Sequence, residues 1–370
     1  VGNIKGSSVN HYLISMLDVI QSNLDKQGCH VNLCTVDFMK AFDLVNHRIA
    51  IEKLIGIGVD ASILPTVCSF LSDRSQTVRY QSKTSTSLNL TCGVPQGTKL
   101  GPIIFLVMVN DAALTTEDRW KYVDDLSMLE VVHKSQESSL QTHIDALSEW
   151  CNVNDMKPKP EKCKVMRFSF LRNPPPKVPF TINGSRLEWV DSQVLLGIVI
   201  QANLKWDRQV QTMVSRAARR LYILSVLKKN GANVEDLLII YKSYIRPLLE
   251  FGSPVWGSSL TKAQVDELER VQKRVLRCIA FPNVLSYSKQ LILYGLTSLE
   301  LRRNELLLRF GEGLLQSDRY RNFLPPTRQS QSRTRLQLRN SQSLDIPFCR
   351  TQRYRLSTIP SLSVLLNSSL

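Results

Sequence analysis

The sequence predicts an α+β protein: a sheet-bearing first part, an all-helical second part, and a basic, weakly ordered tail. Three observations carry that reading. Up to about Trp206, helix-period segments alternate with short β-branched runs. Beyond it, apolar residues recur almost only at three- and four-residue spacings. The formal charge of +15 over 370 residues divides along the same line. Residues 1–207 carry 21 basic and 21 acidic side chains, and residues 208–370 carry 26 against 11. A neutral half with clustered carboxylates joined to a basic half points to chemistry in the first and phosphate binding in the second.

Residues 9–27 place Leu13, Met16, Leu17, Ile20 and Leu24 on one helical face, which ends near Gly28. HVNLCTVDFM is a short, nearly continuous apolar run, read as a buried strand ending at Asp37. Helical spacing returns over 47–57 and 60–72, and QTVRYQ and SLNLTCG follow as strand-like pieces around a Ser/Thr turn. GVPQGTKLGPIIFLVMVNDAAL is a Gly/Pro-punctuated loop feeding an apolar helix. KYVDDLSML reads as a hairpin, because adjacent carboxylates inside a regular strand would point to opposite faces. A helix over about 135–153, a strand at 163–170 and a small sheet from PFTINGSRLEWV and VLLGIVI, with a turn at Asn183-Gly184, complete the first part.

The segments VQTMVSRAARRLYILSVLKK, VEDLLIIYKSYIRPLLEF, AQVDELERVQKRVLRCIA and SLELRRNELLLRFGEGLL then form a separate helical bundle. From about 325 the Arg, Ser and Gln composition predicts the weakly ordered tail. The eight cysteines show no C-x-x-C pair and no metal-type spacing with histidine, which predicts reduced, intracellular thiols. No apolar run approaches the roughly 18 residues of a membrane span, so no membrane partner is expected.

Asp37 closes one strand, and Asp124 with Asp125 lies at the connection between two others. If these strands are neighbours, three carboxylates converge and raise one another's pKa. A divalent cation resolves that conflict, and hard oxygen ligands suit Mg²⁺ completed by substrate phosphates. Two such ions roughly 3.5–4 Å apart stabilise the attacking and leaving oxygens of a phosphoryl transfer. Either element alone is more often structural. The order VDFMKAFD, Gly/Pro loop, YVDD is what raises the functional reading above that baseline.

These stretches resemble the reverse transcriptases of non-LTR (LINE-type) retrotransposons. VDFMKAFDLVNH is similar to the family's motif A, GVPQGTKLGPIIFLVMVND to motif B, and YVDD to motif C, where many relatives have Ala at the position of Val123. NDMKPKPEKCKVMRF resembles motif D, and LLGIVIQANLKWDRQV the primer-supporting segment after it. The segments LLIIYKSYIRPLLEFGSPVW and LERVQKRVLRCI resemble the region that follows the polymerase core, so the likeness covers about residues 1–320.

The resemblance implies a polymerase palm over 1–190, with an antiparallel, ferredoxin-like sheet backed by helices and a remnant of fingers. It implies a primer-supporting hairpin over 191–207, a helical thumb over 208–324 and the tail over 325–370. It also implies an RNA-directed DNA polymerase that adds deoxynucleotides to a primer 3′-OH on an RNA template with two Mg²⁺ ions, or Mn²⁺ in their place. Asp37 and Asp124 would hold the ions with the backbone carbonyl of Phe38, and Asp125 would be the outer ligand. Phe42 would exclude the ribose 2′-hydroxyl, Gln96 and Gly97 would meet the nascent pair, and Lys162 would protonate the leaving pyrophosphate.

Arg74 and Gln76 match a segment near template and primer. The cationic runs Arg216, Arg219, Arg220 and Arg270, Lys273, Arg274, Arg277 would grip duplex phosphates. In relatives, fingers and an endonuclease precede the first residues matched here, so those segments are expected partners. The implied setting is a cytoplasmic ribonucleoprotein and the nucleus. The competing expectation is a catalytically inactive nucleic-acid-binding remnant. An intron-encoded or telomerase-type relative is disfavoured by the segments after motif D.

Overall fold

The computed structural model describes residues 2, 4–281, 285–328 and 343–369. The chain divides into two compact units, residues 1–12 with 28–190, and residues 13–27 with 191–370. Helix α1 (Val9–Asp25) contributes to both.

The first unit is built on a five-stranded sheet. β1 (Cys29–Val36) is central, with α2 (His47–Gly56), α3 (Leu64–Leu71), the short strands β2 (Arg74–Gln76), β3 (Arg79–Tyr80), β4 (Lys83–Thr84) and β5 (Leu88–Leu90), and α4 (Leu100–Val109) following it. Then come the hairpin β6 (Arg119–Tyr122) and β7 (Asp125–His133), α5 (Leu140–Val153), β8 (Lys164–Ser169), β9 (Thr181–Ile182), β10 (Ser185–Arg186) and β11 (Glu188–Trp189). The sheet order is β11-β8-β1-β7-β6, antiparallel except for the β11–β8 pair. Counting its four main strands in chain order, β8-β1-β7-β6 is the fourth-first-third-second arrangement of a split βαβ fold.

Its core packs α2, α4 and α5 through Ile49, Phe105 and Leu147 against Val36, Met128 and Val165 of the sheet. Asn46 caps α2 by accepting from the Arg48 and Ile49 amides at 3.0 and 3.3 Å. The helix expected over 60–72 starts only at Leu64, with proline in its first turn. The one expected from 135 starts at Leu140. There the Glu130 carboxylate takes the Ser138 hydroxyl at 2.5 Å and the Ser139 amide at 2.5 Å, so the chain before α5 serves as a tied turn.

The second unit begins with the hairpin β12 (Ser192–Leu195) and β13 (Ile198–Gln201). Helices α6 (Asp207–Lys229), α7 (Val234–Ile240), α8 (Arg246–Glu250), α9 (Ser253–Trp256), α10 (Lys262–Ala280), α11 (Tyr287–Leu293) and α12 (Leu299–Leu315) follow. α6 and α10 run parallel. Gln264 donates to Asp207 at one end (2.8 Å), and Lys228 donates to the Cys278, Ile279 and Phe281 carbonyls at the other (2.6, 2.7 and 2.6 Å). The sequence predicted one helix over VEDLLIIYKSYIRPLLEF, whereas α7 and α8 are separated by a π turn at Tyr241–Ile245. Pro247 in the first turn of α8 lacks the amide that would continue a regular ladder.

The tail expected to be weakly ordered departs from that expectation where it is described. Residues 329–342 lie outside the described residues. After them, α13 (Gln352–Arg355) and α14 (Thr358–Ser369) are folded. Leu344, Leu362 and Leu366 share a core with Leu307 and Leu314 of α12, and a Cβ at Gly311 would lie 2.5 Å from Leu362. The same segment clasps the end of α1. Asp25 accepts the Arg350 amide (2.7 Å), the Thr351 amide (2.8 Å) and the Thr351 hydroxyl (2.6 Å). Among the described residues no helix is long and apolar enough to cross a membrane, and all eight cysteines are free.

Candidate active site

The antiparallel register of β1 and β7 ends at the pair Val36↔Leu126, and one step further each strand reaches a carboxylate, Asp37 and Asp125. Tyr122 pairs with Asp125, so Val123-Asp124 is a two-residue hairpin loop. Such loops need a left-handed first residue, normally glycine. Here Val123 adopts φ 58°, an outlier for a β-branched side chain and a store of local strain. A Cβ on Gly2 would come within 2.5 Å of the Val123 side chain, so glycine lets the chain lie directly against this turn.

Burial, then Asp124, then Asp37 push the Asp125 carboxyl up to about 6, and Lys162 partly offsets them. The Lys162 ammonium sits 3.5 Å from Asp37 Oδ2. The segment carrying it is fixed to the end of β1, because the Lys159 amide donates to the Asp37 carbonyl (2.8 Å) and the Met39 amide to the Lys157 carbonyl (2.7 Å). Phe38, between them, is buried, and its backbone bridges to Pro158. Carboxylates are hard oxygen donors of the kind that suits a divalent cation. The carboxylates are neighbours as expected, but among the described residues no three His, Cys, Asp or Glu side chains converge closely enough to hold an ion.

A second group of expected residues lies where the loop after β1 meets the loop before α4. The Phe42 ring stacks on Phe105 of α4, with centroids 4.4 Å apart and planes at 22°. Backbone bonds join the loops, Val94 amide to Phe42 carbonyl (2.9 Å) and Gly93 amide to Val45 carbonyl (2.8 Å). Gly93 has φ +81°, and a Cβ there would sit 2.6 Å from the Asp43 carbonyl oxygen. Gln96 is exposed and donates to Asp43 Oδ1 (3.1 Å). Gly97 has φ +79° with open space around its Cα, so in this chain glycine answers a backbone requirement rather than a close protein contact.

Arg74 is the clearest departure. Expected at template and primer, its guanidinium is spent on protein. It donates to the Leu71 carbonyl (3.0 Å), to the Cys92 carbonyl (3.1 Å) and to the Gly93 carbonyl, and lies 3.0 Å from His47 Nε2. His47 Nε2 is itself 2.8 Å from the Gly93 carbonyl oxygen. Arg74 therefore buckles the Gly93 loop in place. Gln76 is exposed, opposite Leu88.

These loops line a cavity of about 680 Å³ whose polar wall is Lys40, Asp43, Arg74, Gln76 and Gln96. Sequence reasoning passed over Lys40. Lys40's place three residues after Asp37 was the available signal.

In the second unit, Arg216 and Arg219 are exposed on α6, whereas Arg220 donates to the Tyr244 carbonyl and lies 3.9 Å over its ring. On α10, Arg270, Arg274 and Arg277 are exposed, and Lys273 is half-buried, 5.2 Å over the Tyr287 ring. Both runs remain cationic outer faces, each with one member committed to an aromatic neighbour.

Residues 2–200 match the family model described as reverse transcriptase (RNA-dependent DNA polymerase). The chain is 26% identical over 70% of its length to a probable RNA-directed DNA polymerase from transposon BS of Drosophila melanogaster, spanning 30% of that protein. It is 26% identical over 66% of its length to the RNA-directed DNA polymerase from mobile element jockey of the same species, spanning 28% of it. Against the Pol polyprotein of the type-1 retrotransposable element R2 of Popillia japonica the identity is 22% over 70% of this chain and 44% of that protein. The chain thus spans less than half the length of each of these relatives. Among solved structures, a telomerase from Candida tropicalis in complex with a TWJ fragment of telomeric RNA aligns over 87% of this chain and 53% of its own. That alignment has 12% identity and a TM-score of 0.44.

Proposed function

This chain belongs to the reverse transcriptase (RNA-dependent DNA polymerase) family, and from that premise we propose that its first unit is a polymerase palm extending a DNA primer on an RNA template. The observation that carries the reading is the carboxylate cluster at the end of β1 and the β6–β7 hairpin, in which Asp125 is held up by burial and by Asp124 and Asp37. Asp37 and Asp124, with the Phe38 carbonyl, would hold two Mg²⁺ ions, or Mn²⁺, and Asp125 would act from the outer side. Bound there, the ions supply Lewis acidity toward the primer hydroxyl and the triphosphate.

The primer 3′-hydroxyl attacks the α-phosphorus of a deoxynucleoside triphosphate and gives up its proton to solvent. The new P–O bond forms as the bond to pyrophosphate breaks, and Lys162, already beside Asp37, delivers a proton to the leaving group. Phe42, immobilised by its stack on Phe105, presents a rigid edge toward the sugar 2′-carbon. Gln96, steadied by Asp43, contacts the nascent pair or template beside Gly97. In the second unit, the exposed cations Arg216, Arg219, Arg270, Arg274 and Arg277, with Arg220 and Lys273, make a thumb that holds duplex through phosphates. The biological substrates would be element RNA and chromosomal DNA, meeting in a ribonucleoprotein and the nucleus, with the remaining segments of the longer relatives supplying fingers and endonuclease.

The test is primer extension on an RNA template with Mg²⁺ and deoxynucleotides, comparing the chain with Asp124→Asn. Extension that Asp124→Asn abolishes, while leaving hybrid binding intact, supports the proposal. Binding without extension by the unsubstituted chain favours the inactive nucleic-acid-binding reading instead.

A further inference from the structure

Between β2 and β5 the chain forms one long two-stranded ribbon. The ladder Arg74↔Leu90 to Gln76↔Leu88 is followed, across a bulge that sets Thr86 and Ser87 opposite Thr77, by Val78–Ser85, Arg79↔Thr84 and Tyr80↔Lys83. Gln81, at φ 53°, turns the tip. Every residue from 75 to 89 is exposed, so among the described residues nothing covers either face. A bare two-stranded ribbon is marginal in water, and one kept this long and uncovered asks for an external partner.

Its chemistry selects that partner. Residues 74–110 contain Arg74, Arg79, Lys83 and Lys99 and not one Asp or Glu. Tyr80 is 74% exposed, Leu88 69% and Val78 61%. Tyr80 and Lys83 are direct cross-strand partners and share a face with Val78, which sets a ring and an ammonium side by side at the tip. Among the described residues, neither Arg79 nor Lys83 has an ion pair. Acid-free cationic surface with a projecting ring fits a nucleic-acid strand whose bases are free to stack.

We propose that the ribbon of residues 75–89 is a docking arm for unpaired nucleotides, with Tyr80 stacking on a base while Arg79 and Lys83 meet flanking phosphates. The inference rests on the polymerase reading for the identity of the strand, which is the single-stranded template. Beyond Gln76, already expected near template and primer, it adds a contact at the ribbon's tip.

The experiment is fluorescence anisotropy of the full chain with two labelled RNA–DNA hybrids, one carrying an unpaired RNA 5′ extension and one blunt, run beside primer extension. The unsubstituted chain is expected to prefer the extended hybrid. Tyr80→Ala weakens that preference roughly ten-fold, and Tyr80→Phe keeps it. Arg79→Ala with Lys83→Ala lowers the salt slope by about 0.7 per lost phosphate contact on the extended hybrid only. Equal effects on both hybrids, no effect of either variant, or no hybrid binding by the unsubstituted chain overturns the proposal. Ribbon-dependent binding without primer extension sinks the catalytic reading alone. Extension with ribbon-insensitive binding sinks this one alone.

Discussion

Replacing Arg74 by alanine separates a structural buckle from a nucleic-acid contact. The guanidinium bridges the carbonyls of Leu71, Cys92 and Gly93, and charged hydrogen bonds contribute about 1.5–3 kcal/mol each. Cys92 and Gly93 line the open cavity, where their carbonyls can rehydrate when the donor is removed, whereas Leu71 is buried, so the net loss is a fraction of the sum, about 2–4 kcal/mol. For a unit of this size that corresponds to a fall in Tm of roughly 5–10 °C. Arg74→Lys should recover little of it, because one ammonium cannot span the fork a guanidinium reaches. Thermal and urea unfolding measure the loss, and the salt dependence of hybrid binding, taken below the transition, should keep its slope. A fully stable Arg74→Ala whose salt slope drops by about 0.7–0.9 would refute the buckle and restore the phosphate contact that the sequence suggested.

Burial holds the Asp18 carboxyl up at about 6, and its Oδ1 has no hydrogen-bond partner among the described residues. Its folded pKa is raised, so its contribution is fully present below the unfolded value and lost as pH rises through about 6, a cost of about 3 kcal/mol at pH 7. Asp18→Asn should therefore be more stable than the parent at pH 7 and equal to it near pH 4, and a gap independent of pH counts against this account. Gly93→Ala forces a Cβ against the Asp43 carbonyl at positive φ, and should cost at least about 2 kcal/mol in urea unfolding and depress primer extension. Gln272 is fully buried and joins the Tyr241 and Tyr287 hydroxyls to the Thr297 carbonyl. Gln272→Ala strands those groups and should lower stability by about 2–4 kcal/mol, read by thermal unfolding of the second unit.

The carboxylate cluster was legible because it depends on local pattern. An apolar β-branched run fixes the strand that ends at Asp37, and two adjacent aspartates cannot continue a ladder, so a turn had to fall at Asp124. The Arg74 buckle was not legible, since its acceptors are main-chain carbonyls of residues 92 and 93, and backbone atoms leave no mark in side-chain composition. The π turn at Tyr241–Ile245 was hidden for a related reason, because one extra residue per turn barely disturbs helical spacing. The end of the chain was misread by averaging. Ile359, Leu362 and Leu366 have helical spacing, but the Arg, Ser and Gln run before them dominated the composition. The Ser/Thr turn between β2 and β5 was read from its residues, yet its exposure on both faces is a property of what fails to pack on it.

The clasp on Asp25 sets an order on events during synthesis. Residues 13–27 belong to the same folded unit as residues 343–369, although more than three hundred residues separate their emergence from the ribosome. The five-stranded sheet can close as soon as β11 is made, but the hydrogen bonds that clasp the end of the first helix wait for the last segment of the chain. A transcript that stops short of residue 343 would yield a chain with its sheet assembled and its first helix left without its closing partner.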